Sequence, residues 1–170
     1  MEIKKLLDKG LIPTPIVKRT GLYQLVRGFT LVEMMVVIAI ISTLAAISIP
    51  VFLTSRINAN EASAIASCKA ISTSCQSYYM NVDPHTYPAQ LDDLVAPASD
   101  PPYLDTVLAV DKRKQGYRFE YTLNGAESFT LYADPITVGR TGNRYFFVDE
   151  TGIIRANTGG RADATSTPIE

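Results

Sequence analysis

The feature that most constrains the fold of this chain is a run of 22 residues without a charged side chain, residues 34–55. About 20 apolar residues in a helix rising ~1.5 Å per residue match the ~30 Å hydrocarbon core of a bilayer. A soluble domain rarely holds a core helix that is apolar on all sides, so we expect this segment to span a membrane.

The charges on the two sides of this run are unequal. Residues 1–28 carry six basic and two acidic residues, a net charge of +4, whereas the other 142 residues carry ten basic and fifteen acidic residues, a net charge of −5. The positive-inside rule predicts a cytoplasmic N-terminus and places the body on the far side of the membrane. The mild acidity of the body argues against nucleic-acid binding.

The composition divides the chain into five segments. Residues 1–28 contain two prolines and no sustained period, and we interpret them as a mostly unstructured leader. The predicted segments are the leader at 1–28, a transmembrane helix at 29–53, the amphipathic half of the same helix at 54–82, a proline-rich connector at 83–116, and an antiparallel sheet with a C-terminal tail at 117–170.

The amphipathic half of the helix is predicted from an apolar stripe. Ala64, Cys68, Ile71 and Cys75 recur at steps of four and three, and Tyr78 or Tyr79 continues the pattern. Polar residues, among them Asn58, Asn60, Glu61, Lys69, Ser74 and Gln76, are expected at the other positions. One helix of about fifty residues, 29–81, accounts for both halves.

Pro50 lies inside this helix. Proline has no amide hydrogen, so the carbonyl of Ala46 loses its usual donor and we expect a kink there.

The two cysteines lie seven residues apart on the predicted helix. Two helical turns separate their Cα atoms by roughly 10 Å, beyond the ~7 Å reach of a disulfide. We expect Cys68 and Cys75 to be buried side by side on one helix face, and an intersubunit disulfide is the alternative.

The last third of the chain shows the period of two that is typical of strands. Four strands are predicted, at residues 117–123, 128–133, 144–148 and 153–156, with Asn124-Gly125 turning the first hairpin. The connector holds one short helical candidate at 89–95, and the tail from Asn157 is expected to be coil, with a path along the sheet as one arrangement. An α+β fold results, with the apolar face of a small sheet on the amphipathic half of the helix.

Glu33 is the one acidic residue close to the apolar run. An ionised carboxylate within a spanning segment costs about 2.5–3.5 kcal/mol, so it is expected to face a cation. Cleavage between Gly28 and Phe29 creates such a partner, the α-ammonium of Phe29, in the same or an adjacent chain. The alternative is a favourable position for Glu33 in the first turn of the helix dipole.

These residues carry a family resemblance. Gly28-Phe29-Thr30-Leu31-Val32-Glu33, followed by the apolar run with Pro50, resembles the N-terminal signature of type IV prepilins and type II secretion pseudopilins. The resemblance is specific over residues 27–56 and looser over the rest of the helix and the sheet.

The resemblance implies a role for each of these residues. Gly28 would precede the prepilin-peptidase cut, Phe29 would become the N-methylated first residue, Glu33 would set subunit register, and Pro50 would distort the helix. It also implies partners: other copies in a helical filament, the prepilin peptidase/N-methyltransferase, an inner-membrane assembly platform, and inner-membrane lipid before assembly. The mature subunit would move from the inner membrane to a periplasmic or extracellular filament.

The sequence predicts no enzyme and no cofactor. His85 is the only histidine, so a multi-histidine metal site cannot be built, and its place in a proline-flanked loop argues against a His-based triad. Pseudopilins often bind calcium in a C-terminal loop. Asp149, Glu150 and Asp163 are weak candidates here, because they lack the dense oxygen donors of such loops.

The leading hypothesis is a structural subunit of a type IV pilus, with a type II secretion pseudopilin as the close alternative. A secreted binding protein, cut after Ala45 or Ala46, fits less well because neither position offers a clean cleavage site. A membrane-anchored enzyme would need a catalytic set that the sequence lacks. The basic run at residues 112–114 is expected to be a solvated loop, or else a basic stripe for anionic partners.

Overall fold

The computed structural model describes residues 28–95 and 100–169. The predicted leader up to Arg27 therefore lies outside the described residues. The chain divides into two units, with the boundary between Ile41 and Ser42.

Helix α1 spans Leu31–Asn81, with Pro50 inside it. This confirms the prediction of one helix of about fifty residues. The helix ends shortly before Pro84, because the residue preceding a proline disfavours helical backbone angles.

The connector is more ordered than the sequence suggested. A 3₁₀ helix at Leu91–Leu94 occupies the predicted helical candidate, and its Leu91 and Leu94 are fully buried. A π-helical turn at Val107–Asp111, which the sequence did not predict, buries Leu108 and Ala109. Both short helices contribute to the core of the second unit.

The sheet is an antiparallel meander in which each strand pairs with the next one along the chain. It contains six strands where four were expected, and the three predicted strands after the first shift by one or two residues. The strands are β1 Arg113–Lys114, β2 Tyr117–Leu123, β3 Phe129–Pro135, β4 Tyr145–Asp149, β5 Arg155–Asn157 and β6 Thr167–Pro168. The two additional strands, β1 and β6, are two residues long, and a pair of residues is too short to show an alternating pattern.

One face of the sheet packs on the second half of α1. The predicted stripe residues Ala64, Cys68, Ile71 and Cys75 are all buried and share one core cluster with the sheet. The sheet contributes inward-facing side chains from three strands, namely Tyr117, Phe119, Phe129, Leu131, Ala133, Phe146 and Val148. This confirms the α+β arrangement.

Three residues expected on the polar side of α1 are instead buried. Ser74 donates a hydrogen bond to the carbonyl of Tyr103 at 2.6 Å, and Asn60 Nδ2 donates to the carbonyl of Thr141 at 2.9 Å. Glu61 is 5% exposed and continues the apolar stripe one turn before Ala64. The prediction was wrong here because a polar side chain can sit in a core wherever the fold supplies its hydrogen-bond partners.

Glu61 fixes the loop between β3 and β4 to the helix. Its Oε1 accepts hydrogen bonds from the amides of Asn143 and Arg144 at 2.8 and 3.3 Å, and its Oε2 forms an ion pair with Arg144 Nε at 2.7 Å. Such charge-assisted bonds offset the cost of burying a carboxylate.

The C-terminal tail is held by Arg161 on the other face of the sheet. The Arg161 guanidinium forms ion pairs with Glu120 and with Asp134, the latter at 3.0 Å, and lies 3.9 Å from the ring centroid of Tyr132. The tail therefore lies along the sheet across β2 and β3, the arrangement that the sequence analysis named, whereas the short strand β6 was not expected in a coil segment.

Gly142 tests the anchored loop. A methyl group in place of its hydrogen would come within 2.0 Å of the Tyr117 hydroxyl, which itself donates to the Arg144 carbonyl at 2.8 Å. We expect Gly142→Ala to lower the free energy of unfolding of this unit by about 1–3 kcal/mol, the usual cost of overpacking. Urea denaturation in detergent, followed by tyrosine circular dichroism, measures this.

Gly160→Ala is the matched control, because a Cβ at Gly160 meets no atom within 4 Å. Equal stability of the two variants would show that the close approach of Tyr117 to the loop is not a constraint.

Candidate functional site

The start of helix α1 carries most of the residues singled out in the sequence. Gly28, Phe29 and Thr30 precede the helix and are exposed, and the Phe29 side chain is 80% exposed. In the intact chain Gly28 and Phe29 are joined by a peptide bond, so the amine proposed as a partner for Glu33 exists only after a cut.

Thr30 and Glu33 form a capping box. The amide and the hydroxyl of Thr30 both donate to Glu33 Oε2 at 2.8 Å, and the amide of Glu33 donates back to the Thr30 hydroxyl at 3.2 Å. These bonds satisfy amides at the helix start that have no partner within the helix. Oε1 of Glu33 takes part in neither bond from Thr30.

The capping box was missed at the sequence level, although its signal was present. A threonine followed three residues later by a glutamate, ahead of an apolar run, is the pattern of this motif. At the sequence level, only a cation partner and a favourable place in the helix dipole were predicted for Glu33. The structure adds a local role in starting α1.

The first half of α1 is apolar and exposed. Every residue from 34 to 44 and from 46 to 53 is exposed, and Ala45 is half-buried. By length and composition α1 can cross a membrane. Such a surface needs a cover of lipid or of other apolar helices.

Pro50 lies within α1, and the helix continues through it. The Thr54 hydroxyl donates to the Pro50 carbonyl at 3.1 Å, a bond from a side chain to the preceding turn that often accompanies helix bending. The kink itself stays a prediction.

The calcium candidates do not converge. Asp149 Oδ1 accepts from the amide and hydroxyl of Thr151, and Asp163 Oδ1 accepts from the amide of Thr165 at 2.9 Å. Each aspartate thus closes its own turn. Over residues 28–95 and 100–169, no group of three or more His, Cys, Asp or Glu side chains is placed to share a metal ion.

His85 is exposed, as predicted. Its Nδ1 donates to the Tyr79 carbonyl at 2.9 Å, and its ring stacks on that of Tyr79. The arrangement secures the loop that follows α1.

The two cysteines are free thiols, fully buried against the sheet. Burial raises the pKa of Cys68 and of Cys75 to about 12. An intersubunit disulfide, the alternative to simple burial, would require α1 to separate locally from the sheet.

Comparison with known proteins gives one family match and two similar relatives. Residues 24–49 match the prokaryotic N-terminal methylation motif. The type IV major pilin protein PilA of Myxococcus xanthus is 42% identical over 57 residues, 34% of this chain and 26% of that protein. The type II secretion system core protein G of Escherichia coli is 35% identical over 94 residues, 54% of this chain and 60% of that protein.

The matches therefore span about a quarter of the pilin and three-fifths of the core protein G. No solved structure matches the chain significantly. The motif match includes Gly28, Phe29 and Glu33, the residues on which the sequence resemblance depended.

Thiol alkylation tests the burial of the cysteines. With a pKa of about 12, fewer than about one thiol in a thousand is ionised at pH 8, and only the thiolate reacts. We expect iodoacetamide to leave both cysteines of the folded chain unmodified at pH 8 and to modify both in urea, as measured by mass spectrometry.

The same shift has a consequence for stability. The pKa is higher in the folded chain than the ordinary ~8.5 of an unfolded one, so the folded state retains protons that the unfolded state loses. This contribution to stability is complete below about pH 8.5 and is lost as the pH rises toward 12.

In the alkylation experiment, rapid modification of the folded chain at pH 8 would contradict the burial of the two cysteines.

Proposed function

Because the chain belongs to the superfamily of type IV pilins and type II secretion pseudopilins, we propose that it is a structural subunit of a type IV pilus. In this proposal the leader is removed after Gly28, Phe29 is N-methylated, and the mature chain assembles through the first half of α1. The chain itself catalyses no reaction.

The observation that carries the proposal is the exposed apolar half of α1, which directly follows the motif. Thirteen large apolar side chains between Met34 and Leu53 are at least 40% exposed. Fully burying such a side chain is worth about 1.5–3 kcal/mol, and these are 40–70% exposed, so removing all of them from water is favourable by roughly 10–20 kcal/mol. Lipid supplies this cover before assembly, and the apolar helices of other subunits supply it afterwards.

The order of events follows from where the charges lie. The basic leader holds the N-terminus in the cytoplasm, so the subunit waits in the inner membrane with its sheet on the far side. Removal of the leader by the prepilin peptidase takes away six basic side chains and leaves one new α-ammonium at Phe29. An inner-membrane assembly platform then passes the subunit from lipid into the filament.

In the filament, Glu33 would pair with the α-ammonium of a neighbouring copy. Two opposite charges that meet in an apolar surrounding attract strongly, and either charge left alone there is costly. A subunit placed one step out of position would bury both charges unpaired. This difference would select the register.

A pseudopilin of a type II secretion system is the second candidate. It is favoured by the longer match to core protein G, which covers 54% of this chain against 34% for the pilin. The lack of a dense set of oxygen donors at Asp149, Glu150 and Asp163 favours the pilus.

Surface filaments test the processing step and separate the two candidates. We expect filaments sheared from the cell surface to contain this chain with N-methylated Phe29 as the first residue, as determined by mass spectrometry of the N-terminal peptide. A deletion strain should then lose the filaments and retain protein secretion.

Loss of secretion with unchanged surface filaments would favour the pseudopilin. A mature N-terminus at Ile47 or nearby would contradict both, because it indicates an ordinary cleaved signal segment.

Two substitutions at the helix start separate the charge of Glu33 from its capping role. Glu33→Gln removes the charge but keeps an oxygen that can accept both bonds from Thr30, whereas Thr30→Val removes the hydroxyl and keeps the carboxylate. We expect Glu33→Gln to reduce assembled filament at least about tenfold, the equivalent of about 1.4 kcal/mol per subunit contact. Thr30→Val should lower assembly by no more than about fivefold, because the cap contributes only ~1 kcal/mol.

Leader cleavage, followed by the change in mass, should proceed in both variants and serves as the control. If Glu33→Gln assembles normally while Thr30→Val does not, Glu33 acts through the helix cap and not through a partner's amine.

A further inference from the structure

We propose that the edge of the sheet next to residue 55, where the apolar run ends, carries a docking surface for an anionic bilayer. This surface, called the base here, consists of the exposed residues 136–140 and the basic side chains around them. The inference rests on the proposed membrane stage, in which lipid surrounds the apolar run before assembly.

The position of the base follows from its contacts with α1. Asn60 and Glu61 are the first buried residues of the helix, and they bind Thr141 and Asn143 of the β3–β4 loop. Arg56 is the first charged residue after the apolar run, and it precedes Asn60 by about 6 Å along the helix axis. The β3–β4 loop is therefore the part of the sheet that lies nearest to residue 55, where the apolar run ends.

The loop presents apolar side chains on a fixed backbone. Residues 136–140 are all exposed, with Ile136 at 48% and Val138 at 56%. The Thr141 amide donates to the Thr137 carbonyl at 2.9 Å, and the Gly139 amide donates to the Gly142 carbonyl at 3.0 Å. These bonds close the loop on itself, so its exposed side chains are held outward by local structure.

The β1–β2 hairpin brings a second basic segment to the same place. The Ile136 amide donates to the Gly116 carbonyl at 2.9 Å, and a Cβ on Gly116 would lie 2.7 Å from Thr141 Cβ. The basic run at residues 112–114 precedes this contact. Arg113 is directly opposite Arg118 across the strand pair, and like charges in that position repel unless an anion lies between them.

The charge of the base is opposite to that of the whole body. Within four residues of Asn60, Gly116 or Thr141 lie seven of the ten basic residues beyond Gly28, namely Arg56, Lys112, Arg113, Lys114, Arg118, Arg140 and Arg144. The acidic residues in the same windows, Glu61 and Glu120, are each bound to an arginine. A basic surface is thus concentrated at one end of a body whose net charge is −5.

Apolar side chains framed by basic ones fit the headgroup region of a bilayer that contains anionic lipid. There the apolar groups reach the acyl boundary while arginine and lysine bind phosphates. A nucleic acid would satisfy the charges but leave Ile136 and Val138 in water. Docking would hold the sheet unit at the membrane until the subunit is extracted.

An introduced tryptophan tests the proposal, because the chain contains none. Val138→Trp reports on the base. Met80→Trp, on an exposed residue about 30 Å farther along α1 than Asn60, is the matched control. Ile47→Trp reports whether the apolar run is inserted. Each full-length variant is reconstituted in phosphatidylcholine vesicles, with or without phosphatidylglycerol, that contain lipids brominated near the headgroup end of the acyl chain.

We expect quenching and a shift of emission to shorter wavelength for Val138→Trp in vesicles with phosphatidylglycerol, and neither effect for Met80→Trp. Adding Arg140→Glu lowers the charge of the base by two units. Each unit should lower the ratio of docked to undocked molecules about fivefold. A high salt concentration should have a similar effect, because it screens exposed charges.

Three outcomes would overturn the inference while leaving the membrane anchor intact, provided that Ile47→Trp is quenched. The first is an unquenched Val138→Trp, the second is equal quenching with and without phosphatidylglycerol, and the third is an emission shift of Val138→Trp in detergent that grows with protein concentration. The third would assign the base to contact with another copy. An unquenched Ile47→Trp would overturn the membrane stage of the proposed function together with this inference.

Discussion

The exposed apolar half of α1 is the constraint on which the other features depend. A helix that is apolar on every side is poorly stable in water as a monomer, since covering its side chains would be favourable by roughly 10–20 kcal/mol. Lipid or neighbouring helices must cover it at every stage of the protein's life. The basic leader, the cut at Gly28 and the transfer into a filament are the steps that such a helix requires in the proposed function.

The second half of α1 buries its apolar side chains within the same chain, against the sheet. Its stripe of small side chains lets the helix lie close to the sheet, whose aromatic side chains fill the remaining space. Where the sheet ends, Glu61 replaces apolar packing with an ion pair and two hydrogen bonds from the loop. The helix thus changes from an exposed apolar surface to a face covered by the sheet, and the buried carboxylate of Glu61 marks the edge of the sheet.

The tail shows how this sheet holds its last residues without a disulfide. Both cysteines lie in the core on α1, far along the chain from the tail, and Arg161 binds two carboxylates and the ring of Tyr132 instead. These interactions cross two strands, so they need the sheet to form first. The sequence offered only an arginine in a polar segment and gave no sign of its partners, which lie 27 and 41 residues earlier.

The sequence by itself determined the features that arise from local pattern. The charge-free run, the four-and-three stripe and the alternation in β2 each express a period, and a period follows from backbone geometry alone. Gly28, Phe29 and Glu33 were singled out differently, by the resemblance of residues 28–33 to a prepilin signature, and their roles stay predictions.

Only the tertiary structure decided the features that join distant residues. The burial of Asn60 and Glu61 depends on hydrogen-bond partners 81 to 83 residues away, and the basic hairpin lies beside the β3–β4 loop because Gly116 contacts Ile136 and Thr141. The edge strands β1 and β6 pair with strands close in the chain, but two residues are too few to show a period. A polar side chain is stably buried when the fold supplies its hydrogen-bond partner, and a local sequence pattern does not show which distant residue that partner is.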